Sequence, residues 1–163
     1  DETGQRDRGE VEVTVTAADA DLLGARLIAY LYEAGLDRDG NFDIPGLNFW
    51  IDELLVVGRS QRAIAEDFLE SQEFEDNFGE PLETDDPDYL DDFDFVTALY
   101  ENVLDRTADD GGRNFWLSVL DQPGVDRTDL LILFAESPEN VYGSPVVANL
   151  AEVAPGEWDF LVA

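Results

Sequence analysis

The sequence contains no cysteine, no histidine and no lysine. Without cysteine and histidine the chain has no disulfide, no thiolate nucleophile, no imidazole proton shuttle and no usual ligand for a transition metal. Without lysine it has no Schiff-base chemistry. The chemistry that remains is acid and base catalysis by carboxylates, or coordination of a hard cation such as calcium by oxygen atoms.

Positive charge is also scarce. The chain has 39 acidic and 9 basic residues, a formal net charge of −30, and every basic residue is arginine. A nucleic-acid partner is therefore not expected, and neither is attraction to an anionic membrane surface, because both depend on clusters of lysine and arginine. No apolar run is long enough to cross a bilayer, so we expect no membrane insertion.

Apolar residues are abundant, at 44% of 163 residues, with 11% aromatic. A chain of this length and composition buries a core, and we expect residues 1–163 to form a single domain. The first residues, DETGQRDRGE, are neither a signal peptide nor a methionine start. We therefore expect the chain to be a fragment of a longer protein.

The chain contains an internal repeat. The stretch LYEAGLDRDGNFDIPGLNFW from Leu31 matches LYENVLDRTADDGGRNFW from Leu99, and the first loop is the longer one. From the tryptophan onward the offset is constant, so that Trp50 matches Trp116. The predicted organisation is repeat one at about 20–78, an acidic connector at 79–94, repeat two at about 95–142 and a C-terminal tail at 143–163.

Apolar residues within each copy recur at helical spacing. In the first copy the stripes are Leu23, Leu27, Leu31 and Ala34; Trp50, Leu54 and Val57; and Ile64 with Phe68. Ser60 and Asp126 stand where helix N-caps are expected, and Gly46 is expected to precede the second helix. The pattern predicts an all-α fold of two tandem repeats of short helices, forming a helical bundle.

Two segments outside the repeats carry weaker patterns. Val11, Val13 and Val15 alternate with polar residues, which predicts an extended segment at the N-terminus. In and directly after the connector, within EPLETDDPDYLDDFDF, Tyr89, Phe93 and Phe95 predict contact with the core rather than a free linker.

The first loop carries a candidate calcium site. Asp37, Asp39, Asn41 and Asp43 alternate, the spacing that lets side chains converge on a hard cation. Against an EF-hand, glycine stands at position four instead of six, and position twelve is asparagine instead of glutamate. The alternative is that these residues cap helices and hold turns. In the second copy Asp105, Asp109 and Asp110 lack the alternation.

Other polar and aromatic residues of the repeat are expected to be structural. We expect Arg38 to pair with Glu73, and Arg106 with Glu139, in charge-assisted and bidentate contacts; anion binding is the alternative. We expect Trp50 and Trp116 to pack in the core, with a sugar-stacking platform as the alternative. No pair of carboxylates is marked as catalytic, and we expect no enzymatic activity.

The repeated pattern resembles the bacterial family of domains of unknown function numbered 4214 (DUF4214). In the first copy the matching residues are Tyr32, Leu36, Arg38, Gly46, Phe49, Trp50, Gly58, Ser60, Phe68, Ser71, Glu73 and Phe74. In the second they are Tyr100, Leu104, Arg106, Gly112, Phe115, Trp116, Gly124, Phe134, Ser137 and Glu139. The resemblance implies a helical module, common in secreted bacterial proteins with RTX-type calcium repeats, and it implies no activity.

The final residues, EWDFLVA, resemble the endings of proteins exported through type I secretion channels; docking of this tail on the core is the alternative. We expect a non-catalytic, extracellular or cell-surface module, acting in export, attachment or assembly. Its expected partners are the type I export machinery, through the tail, and a cell-surface glycan or protein. The alternative function is calcium-dependent binding of a carbohydrate or a surface.

Overall fold

The computed structural model describes residues 16–36 and 41–162. The described part is mainly α-helical and ends in a small antiparallel sheet. The helices are α1 (Ala17–Leu36), α2 (Ile44–Leu55), α3 (Gln61–Leu69), α4 (Gln72–Phe78), α5 (Asp92–Val103), α6 (Asp110–Leu120), α7 (Arg127–Ala135) and α8 (Pro138–Gly143). A 3-10 helix (Pro145–Asn149) and the strands β1 (Leu150–Ala154) and β2 (Glu157–Phe160) follow. The extended segment predicted around Val11, Val13 and Val15 lies outside the described residues.

Short polar side chains start several of these helices. Ser60 Oγ accepts a hydrogen bond from the backbone N–H of Ala63 at 3.1 Å. Asp126 accepts from the N–H of Asp129, whose own carboxylate accepts from the N–H of Asp126, so the two residues form a capping box. Both N-caps predicted from the sequence are confirmed. Each one satisfies a backbone donor that the first turn of a helix leaves without a partner.

Gly46 lies inside α2 and not before it, so that prediction is wrong. The helix already begins at Ile44, with Pro45 in its first turn, where the fixed φ of proline is favourable. A Cβ at Gly46 would lie 2.6 Å from Tyr32 Oη and 2.7 Å from Asp43 Oδ2. Glycine is needed here because the tyrosine hydroxyl approaches the backbone of α2, and not because a helix has to start.

The long helix α1 lies at the centre of the fold and packs against α2, α3, α5 and α7. The core is one continuous cluster with aromatic residues at its middle. Its largest fully buried side chains include Phe68, Phe74, Phe95 and Phe134. The two halves of the chain meet where α1 and α3 pack against α7 and where α1 packs against α5.

Charged residues line this meeting of α3 and α7. Arg62 Nη1 donates to Asp129 Oδ1 at 2.5 Å, and Nη2 of the same side chain donates to Asp126. Next to them, Gln61 Nε2 donates to Glu136 Oε1 at 2.5 Å. The arginine therefore binds the two residues of the capping box that starts α7, which links the first half of the chain to the second.

The acidic connector is held by one arginine. Arg127, in the first turn of α7, is only 9% exposed and donates to the carbonyl of Pro81 at 2.6 Å. It also donates to Tyr89 Oη at 3.0 Å and to Asp92 Oδ1 at 2.9 Å. The guanidinium lies over the rings of Tyr89 and Phe95, 4.9 and 4.8 Å from their centroids. These contacts fasten the connector to the helical core. Tyr89 and Phe95 contact the core as predicted, whereas Phe93 is 48% exposed.

The C-terminal tail forms a hairpin, which the all-α prediction did not include. Strands β1 and β2 are antiparallel, Leu150 pairs with Phe160, and Gly156 takes the positive φ of the turn at +74°. The strands are short and their register is irregular between Glu152 and Ala154, so the alternation that identifies a strand is weak in the sequence. The fold is therefore mainly α rather than all-α.

Candidate functional site

The first acidic loop lies only partly within the described residues. Asn41 and Asp43 are described and exposed, whereas Asp37 and Asp39 lie outside. Asp43 occupies the N-cap position of α2, but its side chain makes no capping hydrogen bond. Within residues 16–36 and 41–162 no three acidic side chains are grouped so that they would hold a metal ion. Calcium at this loop stays a prediction.

The three acids of the second loop differ in role, and Asp109 holds the backbone. Asp109 caps α6 by accepting from the N–H of Gly112 at 3.0 Å, and this hydrogen bond lowers the pKa of its carboxyl group. Asp110 is almost fully exposed, with its carboxylate 3.5 Å from Arg113 Nη1. Asp105 has a positive φ of 49°, a conformation that aspartate tolerates better than most residues. The geometry of Asp109 fits the capping interpretation of these residues.

The structure brings Arg106 and Glu139 together. Arg106 Nε donates to Glu139 Oε1 at 2.5 Å and Nη2 donates to Oε2 at 3.0 Å, so the contact is bidentate. The hydrogen bond from the arginine lowers the pKa of Glu139 and raises that of Arg106. The guanidinium also lies over the ring of Tyr100, 4.8 Å from its centroid. This pair joins the loop after α5 to the first turn of α8.

The corresponding pair in the first copy is not described in full. Glu73 lies in the first turn of α4, while Arg38 lies outside the described residues. The pairing of Arg38 with Glu73 stays a prediction.

A cleft of about 580 Å³ opens beside the Arg106–Glu139 pair. Its walls come from the C-terminal ends of α1 and α5, from α8 and from the 3-10 helix. Glu33, Asp105 and Glu139 are its acidic residues. Because Glu139 is held by Arg106, this part of the cleft wall is an ion pair.

The aromatic pairs divide into buried and exposed members. Trp50 is half-buried against Phe68, with ring centroids 4.8 Å apart, and Trp116 is half-buried against Phe134 at 4.7 Å. Phe49 and Phe115, by contrast, are 55% and 58% exposed. Each tryptophan therefore packs on a core phenylalanine, and the aromatic ring that each copy presents to solvent is the phenylalanine before it.

The sequence pattern did not single out Asn48, which holds the C-terminal hairpin on α2. Asn48 Nδ2 donates to the carbonyl of Trp158 at 2.8 Å, and Asn48 Oδ1 accepts from the N–H of Trp158 at 2.7 Å. We call these two hydrogen bonds the Asn48 clamp. A side-chain amide presents an N–H donor next to a C=O acceptor, as the backbone of a neighbouring strand does. The Asn48 amide therefore pairs with one residue of β2 in the way that a residue of an adjacent strand would.

Further contacts support the same docking. Trp158 is only 4% exposed, and the ring of Phe160 lies 4.7 Å from that of Phe42. Arg26 Nη2 donates to the carbonyl of Ala148 at 2.8 Å. The only feature of the sequence that points to Asn48 is the triplet Asn-Phe-Trp, which occurs in both copies.

None of the helices in residues 16–36 and 41–162 combines the length and apolar character that crossing a membrane requires.

These observations define a mainly α-helical domain whose polar pattern residues hold turns and whose tail docks on its first helices. A model of the family described as "Domain of unknown function (DUF4214)" matches residues 85–143, so this segment is similar to that family. The matched segment contains the Arg106–Glu139 pair and Trp116, and it covers the second of the two copies predicted from the sequence. No curated protein and no solved structure matches the chain.

Proposed function

We propose that the chain is a non-catalytic helical module of a larger secreted or cell-surface bacterial protein, acting in export, attachment or assembly. The observation that carries the proposal is that polar residues of the repeated pattern, in the segment that matches DUF4214, make structural contacts with one another and with the backbone. Arg106 and Glu139 bind each other, and Asp109 caps a helix. The pattern thus serves the fold, as expected of a module that presents a surface rather than a reaction centre.

The proposal includes two copies of the same helical unit. Equivalent contacts support this part: Tyr32 and Trp50 pack on Phe68, as Tyr100 and Trp116 pack on Phe134. A glycine also faces a tyrosine hydroxyl in each copy, Gly46 with Tyr32 and Gly112 with Tyr100. Such paired contacts are expected if one unit was duplicated and kept its packing.

Export through a type I channel is the role proposed for the tail at 143–163. The acidity of the chain and its lack of cysteine fit a protein that crosses unfolded and folds outside. The test is to fuse residues 1–163 behind a reporter in a bacterium with a type I exporter. We expect reporter in the medium with the full chain and retention in the cell when residues 143–163 are deleted.

The matched control is Asn48→Ala, which weakens docking of the tail and leaves the sequence of residues 143–163 unchanged. Because export uses the unfolded chain, we expect this variant to reach the medium. Equal export with and without residues 143–163 would refute the role of the tail.

The second candidate function is calcium-dependent binding of a carbohydrate or a surface. The observation that favours it is the exposed ring of Phe49 on the helix that follows the first acidic loop. A glycan array probed with and without a chelator separates the two functions. Binding that the chelator abolishes supports this candidate, whereas a scaffold gives no signal in either condition.

A further inference from the structure

The helix that corresponds to α2 in the second half of the chain is α6. Asn48 of α2 and Asn114 of α6 occupy the same place in the repeated triplet Asn-Phe-Trp. The side-chain amide of Asn48 binds both the C=O and the N–H of Trp158. Asn114 is exposed, and its side chain makes no hydrogen bond within the described residues. One of two equivalent amides therefore binds a strand, and the other is open to solvent.

The two helices also differ in how deeply they are covered. Leu47 and Ile51 of α2 are fully buried. The residues at the same positions of α6, Arg113 and Leu117, are half-buried, and no residue of α6 is buried. Phe115, beside Asn114, is 58% exposed, much as its counterpart Phe49 is at 55%, so the difference between the helices lies in the positions of Leu47 and Ile51. We call Asn114, Phe115 and Leu117 the α6 face.

One further polar group next to this face has incomplete hydrogen bonding. The Nε of Arg113 is buried and has no hydrogen-bond partner within the described residues. Its guanidinium lies over the ring of Phe93, 4.4 Å from the centroid, and Phe93 is 48% exposed. The second half thus has an arginine–phenylalanine stack, with one buried N–H of the arginine unpaired within the described residues, at the place where α2 has Leu47 in the core.

We propose that the α6 face docks an extended strand of another polypeptide, with the Asn114 amide binding one backbone N–H and one C=O of that strand. The inference rests on the proposed presence of two copies, since the occupant is deduced from what the equivalent amide holds. At α2 the equivalent amide binds β2, with Trp158 as the clamped residue, and Phe160 of the same strand packs nearby on Phe42. The strand bound at α6 accordingly carries an aromatic residue at the clamped position.

Charge decides which kind of strand fits. The chain has a net charge of −30, and Asp110, one turn before Asn114 on α6, is 96% exposed. An acidic strand is repelled here, and the same repulsion acts against a second copy of this chain. The partner strand is therefore neutral or basic. Strand addition of this type gains affinity from main-chain hydrogen bonds and specificity from alternate side chains.

The test uses the full chain and a synthetic peptide as the probe. The peptide copies residues 156–162 with the changes Glu157→Gln and Asp159→Lys, which keep the Trp-x-Phe spacing and remove the acids. Titration is followed by fluorescence polarisation of the labelled peptide and by the NMR signals of the Asn114 side-chain amide. We expect saturable binding that shifts the Asn114 signals, and weaker binding of the peptide that keeps both acids.

Asn114→Ala removes both hydrogen bonds to the strand, and we expect it to raise Kd about tenfold or more. The matched control is Gln72→Ala, which removes an exposed amide on α4 and should leave Kd unchanged. Unaltered circular dichroism and Tm show that Asn114→Ala remains folded. A peptide with alanine in place of tryptophan tests the aromatic requirement and should also bind at least tenfold more weakly.

Three outcomes overturn the inference: no saturable binding, equal Kd for Asn114→Ala and the original chain, or shifts at Asn48 and Trp158 with Asn114 unmoved. Self-association of the chain that Asn114→Ala abolishes would refute the choice of a foreign partner. Failure of the proposed function is a separate result. A chain that binds the peptide but is not exported contradicts the export role alone, and an exported chain that binds no peptide contradicts this inference alone.

Discussion

Replacing Asn48 by alanine tests how the tail is held on the helical core. The change leaves the N–H and C=O of Trp158 without the partners they have at 2.7 and 2.8 Å. An unpaired buried polar group costs about 1–3 kcal/mol, and the low end applies because this site is only partly buried. The two groups together cost about 2–3 kcal/mol, and the better helix propensity of alanine returns about 0.5 kcal/mol. We expect a net loss of about 2 kcal/mol.

A loss of this size is measurable in two ways. Tm should fall by about 4–8 °C for a chain of this length. Amide exchange in β1 and β2 should become about 30-fold faster, because 1.36 kcal/mol corresponds to a factor of ten in the opening equilibrium. The exchange measurement reports the hairpin itself even where the helices stay folded.

Asn114→Ala is the control, because it makes the same chemical change at the equivalent position of α6. The Asn114 side chain is exposed and makes no hydrogen bond within the described residues, so its loss should alter stability by less than about 0.5 kcal/mol. Equal effects of the two substitutions, or no change in hairpin exchange with Asn48→Ala, would refute the reasoning.

Three further predictions concern the ion pair, the aromatic core and the charge. Arg106→Lys should lower stability by less than about 1 kcal/mol at neutral pH, since the pair is half-exposed. Because Arg106 lowers the pKa of Glu139, a double-mutant cycle should show coupling above about pH 4.3 that vanishes as the pH falls through the lower folded-state pKa. Phe68→Ala and Phe134→Ala, at fully buried rings, should each cost about 3–5 kcal/mol in urea unfolding; a much smaller loss at one of them would contradict the equivalence of the two copies. With a net charge of −30, sodium chloride should raise Tm, and calcium acting at low millimolar concentration beyond sodium at matched ionic strength would indicate a specific site.

The sequence predicted the contacts that depend on local spacing. Ser60 and Asp126 were recognisable as N-caps because a cap acts within one turn of its own helix. The apolar spacing of Trp50 and Leu54 likewise predicted the core-facing side of α2, whereas Val57 of the same stripe lies beyond the helix and is 64% exposed. These features repeat along the chain, and a repeated pattern is easier to recognise than a single one.

The parts that were missed depend on distant partners. Asn48 and Trp158 are 110 positions apart, and nothing near either residue marks it as half of a clamp. Glycine commonly breaks helices, so the sequence alone predicts a helix boundary at Gly46, whereas this residue admits the hydroxyl of Tyr32 from α1. Arg127 was similarly unmarked, since its partners lie in the connector. Tertiary contacts of single residues leave no periodic signal.

The docking of Trp158 on Asn48 also affects the order in which the chain can fold during synthesis. During synthesis α2 leaves the ribosome before β2 does. The packing of α2 is completed only when Trp158, 110 positions after Asn48, becomes available. Contacts this distant in sequence slow folding, because a long loop has to close before they form. During synthesis α2 therefore lacks its full packing until β2 is free to reach it.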